Sequence, residues 1–132
     1  MINGATPIIG GTYTAPTGGS ADALIAFGSL NEMRAIFAAD TPGVTAKSLN
    51  FTQTAPKPLA SAPNGYTQAK RQAFLRVPKV LANGNITTFT IRAEISFDIE
   101  ASAFEVNEMC RLMSQVLGDD DFASWRVLGT LG

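Results

Sequence analysis

Between Thr88 and Ile99 apolar and polar side chains alternate without a break. Phe89, Ile91, Ala93, Ile95, Phe97 and Ile99 fall on one side, and Thr88, Thr90, Arg92, Glu94, Ser96 and Asp98 on the other. A period of two over this length dictates a β-strand with one apolar and one polar face, because a helix would scatter the same residues around its axis. The segment before it carries the same pattern, with Ala73, Leu75 and Val77 opposed to Gln72, Phe74 and Arg76. The two segments flank Asn83-Gly84, so they read as a hairpin. A two-residue turn at Asn-Gly would set Val77 opposite Thr90 and mix the faces. A three-residue loop, Asn83-Gly84-Asn85, sets Val77 opposite Ile91 and Leu75 opposite Ala93, and keeps them apart. A slip of one residue exposes every apolar side chain, so the face pattern outweighs the dipeptide. This register also puts Arg76 opposite Arg92, a like-charge pair costing a few tenths of a kcal/mol, roughly.

Charge is unevenly spread. Residues 70–92 hold five cations (Lys70, Arg71, Arg76, Lys79 and Arg92) and no anion. Residues 94–121 hold eight anions against Arg111 alone. The net charge of −1 conceals this split. A sheet that is apolar on one face and basic on the other is the consequence to be explained.

Elsewhere the chain is punctuated by turns. Residues 1–27, rich in Gly, Thr and Pro, read as an N-terminal hairpin, and 28–101 as the antiparallel sheet. Within the latter, Ser29-x-x-Glu32 resembles a capping box, and Leu30, Met33 and Phe37 fit a helical stripe, although an irregular strand competes. Residues 45–54 alternate as a strand, with Leu49 and Phe51 on one side and Ser48, Asn50 and Thr52 on the other. Residues 55–69, with three prolines and an Asn-Gly, form a long surface loop. Residues 102–132 supply two helices and a tail. Ser102-x-x-Glu105 opens the first, Gly118 stops it, and Val106, Met109, Met113, Val116 and Leu117 line its apolar face. Asp119–Asp121 cap a short second helix anchored by Phe122, Trp125 and Leu128 and stopped by Gly129. Antiparallel strands followed by helices make an α+β domain.

With 132 residues the chain forms one domain, and 16% charged residues suggest more hidden surface than one copy provides. There is no histidine to act as a base near neutral pH, and Cys110 falls in an apolar helical pattern with no imidazole to activate it. No phosphate-cradling glycine motif is present, and the Asp119–Asp121 run reads as a cap rather than a cation site. No cofactor or metal is implied, and the sequence points away from an enzyme. There is neither an apolar run long enough to span a membrane nor a secretory leader, so action where the protein is made is expected. The polar face instead offers Arg and Lys for phosphates and small polar groups for bases and sugars. Phe74 on that face could stack on an unpaired base or pack beneath a loop or neighbouring chain.

The order of a Gly-rich N-terminus, strands, LRVPKV, a turn, the alternating strand TIRAEISFDI and two terminal helices resembles the coat proteins of single-stranded RNA bacteriophages, the leviviruses. The likeness is best over 70–118. It implies a strand rather than a helix at 28–38. It also implies a homodimer made by joining two sheets edge to edge, with each subunit's helices across its partner's sheet. Dimers would build an icosahedral shell of T=3 type, assembled in the bacterial cytoplasm, with the polar face inward on genomic RNA, an RNA hairpin included. Positions corresponding to RNA contacts are Asn50, Thr52, Lys70, Gln72, Phe74, Thr90 and Arg92, to which the basic face adds Arg76. The interface would draw on Ile95, Phe97, Val106, Met109, Met113 and Val116. Two departures weaken any particular operator: Phe74 stands where well-known members have lysine, and Thr90 where they have a stacking tyrosine. The turn 81–86 is short and lacks cysteine, which excludes cross-linking through it. A cellular RNA-binding dimer without a shell and a β-sheet adaptor remain as alternatives.

Overall fold

The computed structural model describes residues 4–12, 16–29, 31–40 and 45–130. It divides into a sheet unit, Gly19–Ile99, and a helical unit made of Met1–Gly18 with Glu100–Gly132.

The sheet unit is a meander of five antiparallel strands in sequence order. They are β1 (Leu24–Gly28), β2 (Glu32–Phe37), β3 (Ser48–Thr54), β4 (Ala69–Val80) and β5 (Ile86–Phe97). The long pair β4–β5 forms where the alternation is cleanest, but its register differs from expectation. Val77 faces Phe89 and Leu75 faces Ile91, so Arg76 lies opposite Thr90 and Arg92 opposite Phe74. The expected and observed pairings put the same side chains on the same faces, so the hydrophobic pattern cannot choose between them. The turn does. Leu81 N–H donates to the Asn85 carbonyl (2.8 Å) and Gly84 N–H to the Leu81 carbonyl (3.0 Å), which makes the loop Ala82-Asn83-Gly84. A three-residue loop of this kind ends in a left-handed residue, and Gly84 adopts φ 87°. The expected loop would have placed Asn85 there instead.

Of the two readings of 28–38, the strand that the resemblance implied is found and the helical stripe is not. β2 pairs with β1 on one side and β3 on the other, with Ala35 between Ala26 and Leu49. Ser29 N–H donates to the Glu32 carbonyl as part of the β1–β2 turn (2.8 Å), not as a helix cap. Leu30, counted in the helical stripe, lies outside the described residues. The sheet also starts earlier than the boundary at 28, since β1 begins at Leu24. Residues 55–68 form an ordered finger closed by the Pro58–Tyr66 bridge, and Asn64 Nδ2 ties it to Asp98 Oδ1 at 3.0 Å.

In the helical unit α1 spans Ala103–Gly118, followed by a 3-10 turn Asp120–Phe122 and α2 at Ala123–Leu128. Ser102 Oγ accepts the Glu105 N–H (3.2 Å) and donates to Glu105 Oε1 (3.3 Å), so the capping pair forms where the sequence puts it. Asp119 Oδ1 accepts the Asp121 N–H at 2.9 Å, the cap expected of that acidic run. Arg126 Nη1 reaches back to the Val116 (2.8 Å) and Asp119 (2.7 Å) carbonyls, left open where α1 ends. Of the expected anchors Phe122 is buried, whereas Trp125 and Leu128 are exposed.

The N-terminal hairpin is not found among the described residues 4–12 and 16–23, none of which is in a strand. Residues 6–10 instead run antiparallel along α1 and the turn after it, their main chain held by side chains. Thr6 N–H donates to Asp121 Oδ2 (3.2 Å), Ile8 N–H to Gln115 Oε1 (2.6 Å) and Gly10 N–H to Glu108 Oε1 (2.6 Å). Gln115 Nε2 returns a bond to the Ile8 carbonyl (2.9 Å). Glu108 also pairs with Arg111 at 3.5 Å. Once helix side chains satisfy these groups, a ladder partner is unnecessary. Among the described residues no helix is long and apolar enough to cross a membrane.

Very little is buried. Among the described residues the buried hydrophobic positions are Ala35, Ala69 and Phe122. Phe89 is 57% exposed, Ile91 53% and Met113 56%, and no residue of α1 is fully buried. A chain of this length ordinarily buries most of its apolar side chains.

Candidate functional site

The registers sort the sheet into two faces. Leu24, Met33, Phe37, Leu49, Phe51, Leu75, Val77, Phe89, Ile91 and Ile95 share one of them with Phe97. The other carries every candidate RNA-contacting residue: Asn50 and Thr52 on β3, Lys70, Gln72, Phe74 and Arg76 on β4, and Thr90 and Arg92 on β5. Arg71 and Lys79 lie with the apolar set, so the basic stretch serves both faces rather than one.

Rows across the polar face differ in chemistry. One row runs Glu32, Thr52, Gln72, Glu94, and it is bonded to itself. Thr52 Oγ1 donates to Gln72 Oε1 (3.3 Å), and Gln72 Nε2 to Glu94 Oε2 (3.2 Å). Glu94 Oε1 takes a bond from Ser96 Oγ (3.2 Å) and pairs with Lys70 Nζ at 3.8 Å. Lys70 and Gln72 are therefore already engaged. The next row runs Phe27, Arg34, Asn50, Phe74, Arg92, and Arg76 stands one row further along β4. The Arg76 Cζ lies 4.6 Å and the Arg92 Cζ 4.7 Å from the Phe74 ring centre. Instead of facing each other directly across the ladder, the two arginines each make a cation–π contact with one ring. Among the described residues Arg34, Arg76 and Arg92 have no carboxylate partner.

Arg34 is the residue that sequence reasoning missed. Its signal was available in the alternation of Glu32-Met33-Arg34-Ala35-Ile36, but the apparent capping box at Ser29 hid it. As charges, the face holds Arg34, Lys70, Arg76 and Arg92 against Glu32 and Glu94. The arrangement can hold an extended anion: a row of unpaired guanidiniums, bordered by amide and hydroxyl groups on strands about 4.8 Å apart.

The candidate interface residues form two sets. Ile95 and Phe97 are half-buried at the end of β5, with the Arg71 guanidinium 5.4 Å from the Phe97 ring centre. Val106, Met109, Met113 and Val116 follow helical spacing on α1, and both methionines are exposed.

No protein-family model matches this sequence, and no curated protein matches it. Solved structures do. A chain of the virus-like particle of bacteriophage GQ-907 matches over 100% of both chains, with a TM-score of 0.87 and 24% identity. One from the virus-like particle of bacteriophage AVE019 covers 88% of this chain and 92% of its own, with a TM-score of 0.68 and 11% identity. One from the virus-like particle of Beihai levi-like virus 21 covers 89% and 93%, with a TM-score of 0.63 and 16% identity. The α+β fold of this chain, an antiparallel sheet followed by two helices, is therefore the fold of these particle subunits.

Proposed function

We propose that this chain is a coat subunit of a single-stranded RNA bacteriophage, dimerising and then closing into an icosahedral shell around RNA. Its role is structural rather than catalytic. The observation that carries the proposal is the exposed apolar face of a sheet in which one of the two longest strands, β5, is also an edge. β5 offers a full side of main-chain donors and acceptors over Ile86–Phe97. Such an edge pairs with another strand unless it is blunted. β1, at the opposite edge, is only five residues long. Two copies joined through β5 give a sheet of twice the width. The apolar stripe of each α1, Val106, Met109, Met113 and Val116, then covers the partner's Leu75, Val77, Phe89 and Ile91. Burying a handful of such side chains at about 1.5–3 kcal/mol each supplies on the order of 10 kcal/mol per copy. That is comparable with the roughly 4–15 kcal/mol that association costs, with the edge ladder in addition. Arg71 and Lys79 on the apolar face complement Glu105 in the first turn of α1.

The polar face, left uncovered, lines the particle interior and meets the RNA backbone. The full-length fold match to a virus-like-particle chain supports the same reading. The test is expression of the chain alone in a bacterial host, with negative-stain microscopy and absorbance at 260 and 280 nm on one fraction. Uniform spheres rich in RNA are expected. A discrete dimer binding nucleic acid in a salt-sensitive way would move the assignment to a cellular RNA-binding protein, and a nucleic-acid-free dimer to an adaptor.

A further inference from the structure

We infer that Phe74 is not a base-stacking platform but a brace, holding Arg76 and Arg92 as a paired clamp for successive phosphates of single-stranded RNA. This rests on the RNA-binding reading of the polar face and assigns the work within it. Three observations carry it. First, the ring is already in use: the two guanidinium carbons lie 4.6 and 4.7 Å from its centre. They approach from different directions, since Arg92 sits directly across the ladder from Phe74 and Arg76 two residues along the same strand face. Second, both arginines are exposed, and neither has a carboxylate partner among the described residues. Third, the acid that could neutralise Arg92, Glu94 on the same face of β5, directs its oxygens to Gln72, Ser96 and Lys70 instead.

Arginine side chains are long and rotamer-rich, and ordering each on binding has an entropic cost. A ring that both contact orders them beforehand while leaving their outward N–H groups for phosphate oxygens, which the planar fork matches two at a time. The two cations lie within twice their distance from the ring of one another, close enough for neighbouring phosphates of one strand. Phe74 is on this account a positioning residue.

The test uses the full-length chain freed of nucleic acid, with a fluorescent oligouridylate and an abasic ribose-phosphate strand of equal length. Phe74→Leu keeps both charges and removes the ring; it is expected to weaken both strands alike, by about tenfold, the magnitude of ordering two such side chains. Phe74→Tyr, which keeps the ring, should retain binding. Arg76→Gln and Arg92→Gln should each reduce the slope of log affinity against log salt by about 0.7, and together by about 1.4. A Phe74→Leu loss confined to the strand with bases makes the ring a stacking platform and overturns the brace. Unchanged binding in Phe74→Leu overturns it as well. Phe74→Met provides a second ring-free variant should leucine impair folding. If the unmodified protein binds neither strand, the RNA-binding reading fails with it, a result distinct from either of the others.

Discussion

At the scale of single residues, the polar face is divided between groups bonded to one another and groups left open. Lys70 and Gln72 belong to the first set, and Arg34, Arg76 and Arg92 to the second. Reversing charge in the second set is expected to abolish RNA content while leaving the protein fold and its pairing intact. In Arg76→Glu with Arg92→Glu, the 260/280 absorbance ratio should fall to that of protein alone, at unchanged dimer size. Wild-type RNA in that variant contradicts the inward-facing polar face. A second residue-scale expectation concerns acid. Asp40 accepts the Lys47 N–H (2.9 Å) and its ammonium (3.3 Å), and these bonds hold its carboxyl below the ordinary 3.8. A carboxyl depressed in the fold stabilises above its unfolded pKa and loses that contribution as pH falls through the lowered folded one. Asp40→Asn should flatten the loss of stability below about pH 3.8. Acid denaturation followed by circular dichroism reads it, and an unaltered acid limb refutes it.

At the scale of elements, what was legible follows from what local sequence encodes. The faces of β3, β4 and β5 were readable because alternation alone determines which side a residue takes. The partners across β4 and β5 were not, because a shift of two residues preserves both faces. Only the left-handed Gly84 breaks the tie. β2 was ambiguous from its own residues, because a four-residue cap signature is as easily met by a turn; the strand that the resemblance implied is the one found, and its strand character comes from neighbours on both sides. That the described residues of the N-terminal segment form no strand has a similar cause: donors of Thr6, Ile8 and Gly10 are satisfied by Asp121, Gln115 and Glu108, more than ninety residues away in sequence. The face of α1 was plain from helical spacing. Its apolar stripe yields the third prediction. Met109→Asp with Met113→Asp should raise the dimer dissociation constant by at least about a hundredfold, since two methionines that the proposed dimer covers, at about 1.5–3 kcal/mol each, are replaced by charges. Sedimentation velocity would show the change as a shift to monomer. Retention of the dimer would place the interface elsewhere.

At the scale of the whole molecule, a chain whose buried hydrophobic residues are two alanines and a phenylalanine among those described would, in the proposed assembly, draw most of its stabilisation from other copies. Its thermal midpoint should therefore depend on concentration. Below the threshold for shell assembly, each tenfold dilution is expected to lower Tm by about 3–6 °C. A midpoint independent of concentration would identify a self-sufficient monomer. The N-terminal segment behaves differently, because α1 and the following turn grip backbone groups of Thr6, Ile8 and Gly10. Attachment of that kind is indifferent to identity, with one exception. Proline lacks the N–H, and the proline present, Pro7, falls between two of the gripped positions rather than on one. The segment is thus free to drift in evolution, changing what it displays without changing how it is tethered.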